Sequence, residues 1–275
     1  MNDRLRFFEA LKERFGESFS EIGAPERLER LVDLADHRTQ RTFLDKKISL
    51  EAIRMLCACA LSAPSKSDLQ QSDIVIIADP DLRKRIADLM PNMSWIGKAP
   101  AFVIVCMDGS RLLEISKLRG KPFPNDHLDL FFNAATDAAI VLAWLQASVD
   151  LCGWGGCPVS EIRNHAPIVS QWLQLPDRVI PYAGFCFGIP DRAPSLTPRL
   201  PLSTTVHMNT FNDASFHSDL IKYDARRRSY SRQRDPDKWG ISDPYGWSED
   251  KARQYAVPLR DDFGSFVRSK NFKLT

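Results

Sequence analysis

The chain has 275 residues, 44% apolar and 26% charged, with a formal net charge of +2. These values describe a globular chain long enough to bury a large core, and they exclude the disordered, collagen-like and disulfide-dense classes. A near-neutral balance gives no whole-molecule attraction to nucleic acid or to an anionic membrane.

The opening segment, MNDRLRFFEALKERFG, is charged throughout and lacks the apolar core of a signal peptide. No run of ~18 uninterrupted apolar residues occurs, so no membrane span is expected, and the reading is of a soluble cytoplasmic protein. The first 35 residues read as two amphipathic helices broken near Gly23-Ala24-Pro25. Leu5, Phe8, Leu11 and Phe15 give the first its apolar stripe, and Leu28, Leu31, Val32 and Leu34 the second. After the polar cluster HRTQRTF at 37–43, Ser49 is placed to cap a helix that runs through Leu61 and stops before Ala63-Pro64. A strand is predicted at 74–78, then a helix over 80–90 opened by Asp79-Pro80.

Residues 101–107 form an unbroken apolar run of strand length, which implies burial on both faces of a sheet. Residues 127–150 are apolar nearly all round, with alanines at four-residue spacing. A helix of this kind, ~36 Å long, must be covered on every side as a central core helix, with or without a subunit interface along one flank. A further strand is predicted over 181–189. Beyond Pro201 a basic stretch at 222–238 and a segment rich in Trp, Pro, Gly and Asp read as an extended arm with helices over 216–230 and 259–270. Alternating helices and buried strands give an α+β or α/β core.

The six cysteines all lie in apolar stretches and read as buried free thiols. Cys57 and Cys59, two apart on a helix, face different ways and hold no metal together. His165, His207 and His217 lack metal spacing and read as structural, and Trp154 and Trp239 read as packing residues. Gly153-Trp154-Gly155-Gly156 has neither the spacing nor the placement of a nucleotide-binding loop, so any nucleotide phosphate must be held by side chains. Two arginine sites suit that task. His37-Arg38-Thr39-Gln40-Arg41 brings two guanidiniums, a hydroxyl and an imidazole together, and Arg199 stands in a proline frame, PRLP. For any single arginine, solvated surface charge is the plainer reading.

HRTQRTF is similar to the N-terminal segment of flavin-dependent nitroreductases, especially the NADPH-linked oxygen-insensitive and flavin reductase branch. GWGGCPVSEIRN at 153–164 and GFCFGIPDRAPSLTPRLPLSTTVHMNTF at 184–211 resemble two further segments of that branch, in the same order and spacing. The resemblance runs from about residue 34 to the C-terminus. It implies an α+β fold with helices around a mixed four-to-five-stranded sheet, in an intertwined homodimer. Residues 1–33 would be an N-terminal helical extension, and 34–275 a single FMN-binding domain with a C-terminal arm from about 202. FMN would bind non-covalently at the dimer interface, with NADPH or NADH as co-substrate. Ping-pong turnover would pass two electrons to a nitroaromatic, quinone or similar small-molecule acceptor. Enones, chromate and free flavin are alternative acceptors; a non-catalytic flavin-binding or regulatory protein is the alternative of another class.

By position, the resemblance implies that His37, Arg38, Thr39 and Arg41 grip the phosphate, ribityl chain and pyrimidine edge, with Arg199 on the phosphate. Pro64, Ser65, Lys66 and Asp68 match a segment that reaches the flavin from the partner subunit. Pro158, Val159, Ser160 and Glu161 match a loop whose backbone N–H groups face the ring near N5, where hydride transfer needs no separate acid or base. Asn92 is the candidate at the pyrimidine. Arg232 and Arg234 lie near where the family recognises the NADPH 2′-phosphate. The chain departs from the pattern at Thr197 (a lysine in the family), Asp68 (an asparagine), Met93 (a polar residue) and Ser160-Glu161 (a glycine pair).

Overall fold

The computed structural model describes residues 2–20, 25–227 and 232–275. The expected helix break at Gly23-Ala24 and the end of the helix expected over 216–230 lie outside the described residues. In chain order the principal elements are α1 (Asp3–Phe15), α2 (Leu50–Leu61), β1 (Ser72–Ile76), α3 (Pro80–Asp88), β2 (Ala101–Asp108), α4 (Leu128–Leu151), β3 (Gly155–Val159), β4 (Val179–Gly188), α5 (Phe216–Arg226), α6 (Trp247–Tyr255) and α7 (Phe263–Ser269). The chain divides into two compact units. The smaller is Met1–Arg38 with Ser195–Leu259; the larger is Thr39–Pro194 with Arg260–Thr275.

The larger unit is built on a four-stranded sheet in the order β1-β2-β4-β3. Every neighbouring pair is antiparallel, which corrects the expected mixed sheet. The reason lies in the connections. The link from β1 to β2 leaves and re-enters at one end of the sheet, where the Ile77 N–H donates to Phe102 O at 3.0 Å, so this helical link reverses the chain instead of carrying it across.

All eight residues of β2 are buried, as its apolar run requires. Val103, Val105 and Met107 pack with α2 and α4, while Phe102, Ile104 and Cys106 pack with Ile86 of α3, Ile162 and Val169 on the other face. Ser49 caps α2 as expected, its side chain accepting from the Ala52 N–H. Helix α4 has the length and composition of a membrane span. Here it packs on all four strands and on α2. Within the single chain its cover is incomplete, as a flank left for a subunit interface would be: Phe132 is 65% and Trp144 44% exposed.

Strand β3 falls where the sequence showed only a glycine-rich stretch. A Cβ on Gly156 would meet the Phe185 ring at 2.2 Å, and one on Gly155 would meet the Gln40 Cβ at 2.7 Å. These glycines let a strand lie close to its neighbours. The chain's last residues complete the same core: Val267 of α7 and Phe272 join Val105 and Phe185, and the Phe272 ring fills the space beside Gly109. Cys59 and Cys152 are exposed, a correction to the expectation of six buried thiols, because each sits on the open side of its helix or cap. Among the described residues no group of three or more metal-ligating side chains occurs.

In the smaller unit α1 is capped by the Asn2 side chain and closed by Gly16 in the left-handed region. Its fully buried residues are Phe7, Ala10 and Arg14; of the expected stripe, Phe8 and Leu11 are half-buried and pack against the same core, while Leu5 is exposed. Both sets have helical spacing and differ by a rotation about the axis, so periodicity alone does not choose between them. The expected second helix is a 3-10 turn, Leu28–Leu31, followed by the short helix Val32–Ala35. Leu28, Val32, Ala35 and Leu196 pack on Phe7 and Ala10.

Candidate functional site

Three guanidinium groups gather in the smaller unit. Arg14 projects from the buried stripe of α1 and is only 5% exposed. It donates to Ala35 O at 2.5 Å, to His37 O, and to Thr197 O at 3.2 Å. Its own carbonyl accepts the Arg199 N–H at 2.6 Å. Burial lowers the pKa of Arg14, and the positive charges of Arg199 and Arg38 push it the same way, while the Asp36 carboxylate opposes them. Arg38 and Arg199, far apart in sequence, therefore belong to one cationic cluster centred on Arg14.

Arg38 pairs with Asp36 at 2.7 Å, and Arg6 holds the other oxygen of that carboxylate at 2.5 Å. The Arg38 Nε is buried with no partner. The backbone around Arg199 is pinned: the Tyr223 hydroxyl donates to Pro198 O at 3.1 Å and Arg226 to Arg199 O at 2.6 Å. The Arg199 side chain is exposed and takes no ion pair among the described residues. His37, directly before Arg38, is half-buried, its carbonyl taken by Arg14. In the C-terminal arm Arg232 is exposed. Arg234 is engaged instead, ion-paired with Asp250 at 3.4 Å, with Tyr245 bonded to its N–H and Arg253 to its carbonyl.

In the larger unit Thr39 is half-buried and Gln40 is buried, the Gln40 N–H bonding Gly156 O at 2.9 Å. Arg41 lies over the Trp95 ring, its Cζ 5.4 Å from the centroid. Burial pushes the Cys157 thiol up, and the adjacent Arg41 opposes that rise. Asn92 is exposed in the turn before Trp95. The 64–71 loop is organised by Asp137, a carboxylate of α4 that is 3% exposed. It accepts from Ser65 Oγ at 2.7 Å, the Gln71 N–H at 2.9 Å and the Lys66 N–H at 3.3 Å. Lys66 reaches Asp129 at 3.5 Å, and Asp68 adopts a left-handed φ of 57°. The loop walls a cavity of about 470 Å³ with Pro64, Ser65, Asp68, Asp137 and Arg111 on its lining. Pro158 is exposed and Val159 buried at the end of β3, and Ser160 and Glu161 open the 3-10 helix Ser160–His165. The N–H groups of such a first turn have no acceptor within the helix.

Arg14, Asp36 and Asp137 do not feature in the sequence reading. Two of them carry a signal: Arg14 sits seven residues after Phe7 on the buried stripe of α1, and Asp137 interrupts the long apolar helix at mid-length. A charged residue at such a position must find partners inside the fold.

An antiparallel sheet packed between helices is the fold of the nitroreductase class. The chain belongs to the nitroreductase family: the family match covers residues 34–189, and the match to the family's C-terminal domain covers 197–275. It is 28% identical over 249 residues to an FMN reductase [NAD(P)H] of Bacillus subtilis, covering 90% of this chain and 98% of the relative. It is 30% identical over 215 residues to an oxygen-insensitive NADPH nitroreductase of Salmonella typhimurium, covering 75% and 85% respectively. The solved structure of NfrA2 from B. megaterium superposes with a TM-score of 0.81 at 28% identity, covering 90% of this chain and 98% of that one.

Proposed function

We propose that the chain is an FMN-dependent NAD(P)H oxidoreductase of the nitroreductase type, working as a cytoplasmic homodimer. The observation that carries this reading is the cluster of Arg14, Arg38 and Arg199, with the Arg38 Nε buried and unpartnered. The guanidiniums outnumber the one carboxylate, Asp36, that pairs with Arg38, and a phosphate monoester, at about −1.5 to −2 near neutral pH, would relieve the remaining repulsion and offer acceptors to several N–H groups at once. The donor set therefore fits the phosphate end of FMN. Held there, FMN would supply the two-electron chemistry that links NAD(P)H oxidation to reduction of a nitroaromatic, quinone or similar electrophile.

The chain's own residues bind and orient. Arg38 and Arg199 hold the phosphate, with His37 and Thr39 on the ribityl side. Arg41, seated on Trp95, and Asn92 serve the pyrimidine edge. The N–H groups following Pro158 and Val159, those of Ser160 and Glu161, would serve the ring near N5. Pro64, Ser65, Lys66 and Asp68 lie on the loop that reaches the partner's flavin, held rigid by Asp137. The exposed apolar residues on α2 and α4, Met55, Phe132 and Trp144 among them, support a dimer by giving a second copy something to cover. Since Arg234 is engaged by Asp250, Arg232 is the better placed to meet an NADPH 2′-phosphate.

The test is a visible spectrum. Purified protein absorbs near ~450 nm and bleaches when NADPH is added without oxygen. Arg199→Ala yields colourless, folded dimer. A colourless wild type that FMN does not stabilise thermally overturns the proposal.

A further inference from the structure

We infer that Arg14 is the third cation of the flavin phosphate site, a buried charge supplied by the N-terminal helix that positions Arg38 and Arg199 and attracts the phosphate through space. The inference rests on the flavin reading above. Helix α1 lies outside both stretches matched to the family, 34–189 and 197–275.

A buried arginine usually answers a carboxylate. Arg14 does not. Its fork is spent on three carbonyls, those of Ala35, His37 and Thr197, and apart from burial the strongest influence on its proton is repulsion from Arg199. Asp36 offsets part of the charge of Arg6, Arg14, Arg38 and Arg199, and a dianion joining the cluster offsets more of it. The three carbonyls also explain how the cluster is aimed. Ala35 and His37 flank Asp36, the partner of Arg38, while Thr197 and the Arg199 N–H fix the other segment from both ends of Arg14. Thr197 itself carries no charge, so on the 197–199 segment Arg199 stands alone and Arg14 is the charge that backs it.

The experiment compares FMN with riboflavin, which lacks the phosphate, by quenching of flavin fluorescence on flavin-stripped protein. The quantity read is the ratio of the riboflavin to the FMN dissociation constant. In Arg14→Met, similar in length but neutral, FMN binding weakens roughly tenfold while riboflavin binding holds, so the ratio falls roughly tenfold. Adding Thr197→Lys to that variant returns the ratio toward the wild-type value. An unchanged ratio in folded Arg14→Met, whether both flavins weaken or neither does, overturns the inference and leaves Arg14 a structural clasp. If Arg14→Met does not fold, Thr197→Lys in the wild-type background decides. A gain in FMN affinity under about threefold supports a site already supplied with its charge, and a gain of tenfold or more refutes it. Failure of the flavin reading looks different, because the wild type then binds neither flavin.

Discussion

Replacing Asp137 with alanine removes the post on which the 64–71 loop is hung. The carboxylate accepts three hydrogen bonds in a buried setting, two at 2.7 and 2.9 Å and one longer at 3.3 Å. A bond to an ionised acceptor is worth about 1.5–3 kcal/mol, and the variant also strands the Gln71 and Lys66 N–H groups. Against this, the fold no longer keeps a charge dry, which returns part of the loss. The balance is a destabilisation of about 3–4 kcal/mol, a large share of the 5–15 kcal/mol that holds a domain together. Asp137→Asn keeps one oxygen. Turned toward Ser65 and Gln71, it sacrifices only the longest contact and costs about 1–2 kcal/mol. Guanidinium unfolding measures both variants, and hydrogen exchange at Lys66 and Gln71 reports the loop directly. An alanine variant within about 1 kcal/mol of wild type, or an asparagine variant as damaged as the alanine, refutes the reasoning.

Three further outcomes are expected. Gly156→Ala drives a methyl into the Phe185 ring, where a Cβ would lie 2.2 Å away, and costs about 1–3 kcal/mol in unfolding experiments; a neutral result means β3 does not pack as described. Asp126 is held down to about 2, first by its hydrogen bonds with Arg178 and then by Lys273. Its contribution is therefore complete above the ordinary carboxylate pKa of about 3.9 and disappears as pH falls toward 2. Asp126→Asn should be less stable than wild type at pH 6 and equal to it near pH 2; a gap that persists across that range contradicts the assignment. Arg232→Ala raises KM for NADPH more than for NADH and leaves stability alone, whereas Arg234→Ala, which breaks the Asp250 pair, lowers thermal stability. The reverse pattern exchanges their roles.

Much of the frame was legible because burial leaves a mark on composition. The apolar run of β2 signalled a strand covered on both faces, Ser49 and Pro64 bracketed α2, and the alanine-spaced stretch became α4 within a residue of its expected ends. Strand direction was not legible, because a link that returns to its own end of the sheet uses the same residue types as one that crosses it. β3 was hidden by glycines and Pro158, which are poor strand formers chosen here for close approach. The cluster around Arg38 and Arg199 was foreshadowed by motif, but Arg14 was not. Hydrophobic spacing treats an arginine as an outward residue, and only the packing of Phe7 and Ala10 turns it inward. Asp137 escaped for the converse reason, as one acid diluted among many apolar neighbours.

The placement of Val267 and Phe272 has a bearing on how the molecule is made. While the chain is being synthesised, the sheet and α4 are made before residues 263–272 emerge, leaving a hydrophobic notch beside Gly109 that α7 and Phe272 fill. Closure of this core therefore waits on the segment 263–272, and a chain lacking it presents that notch to chaperones and proteases.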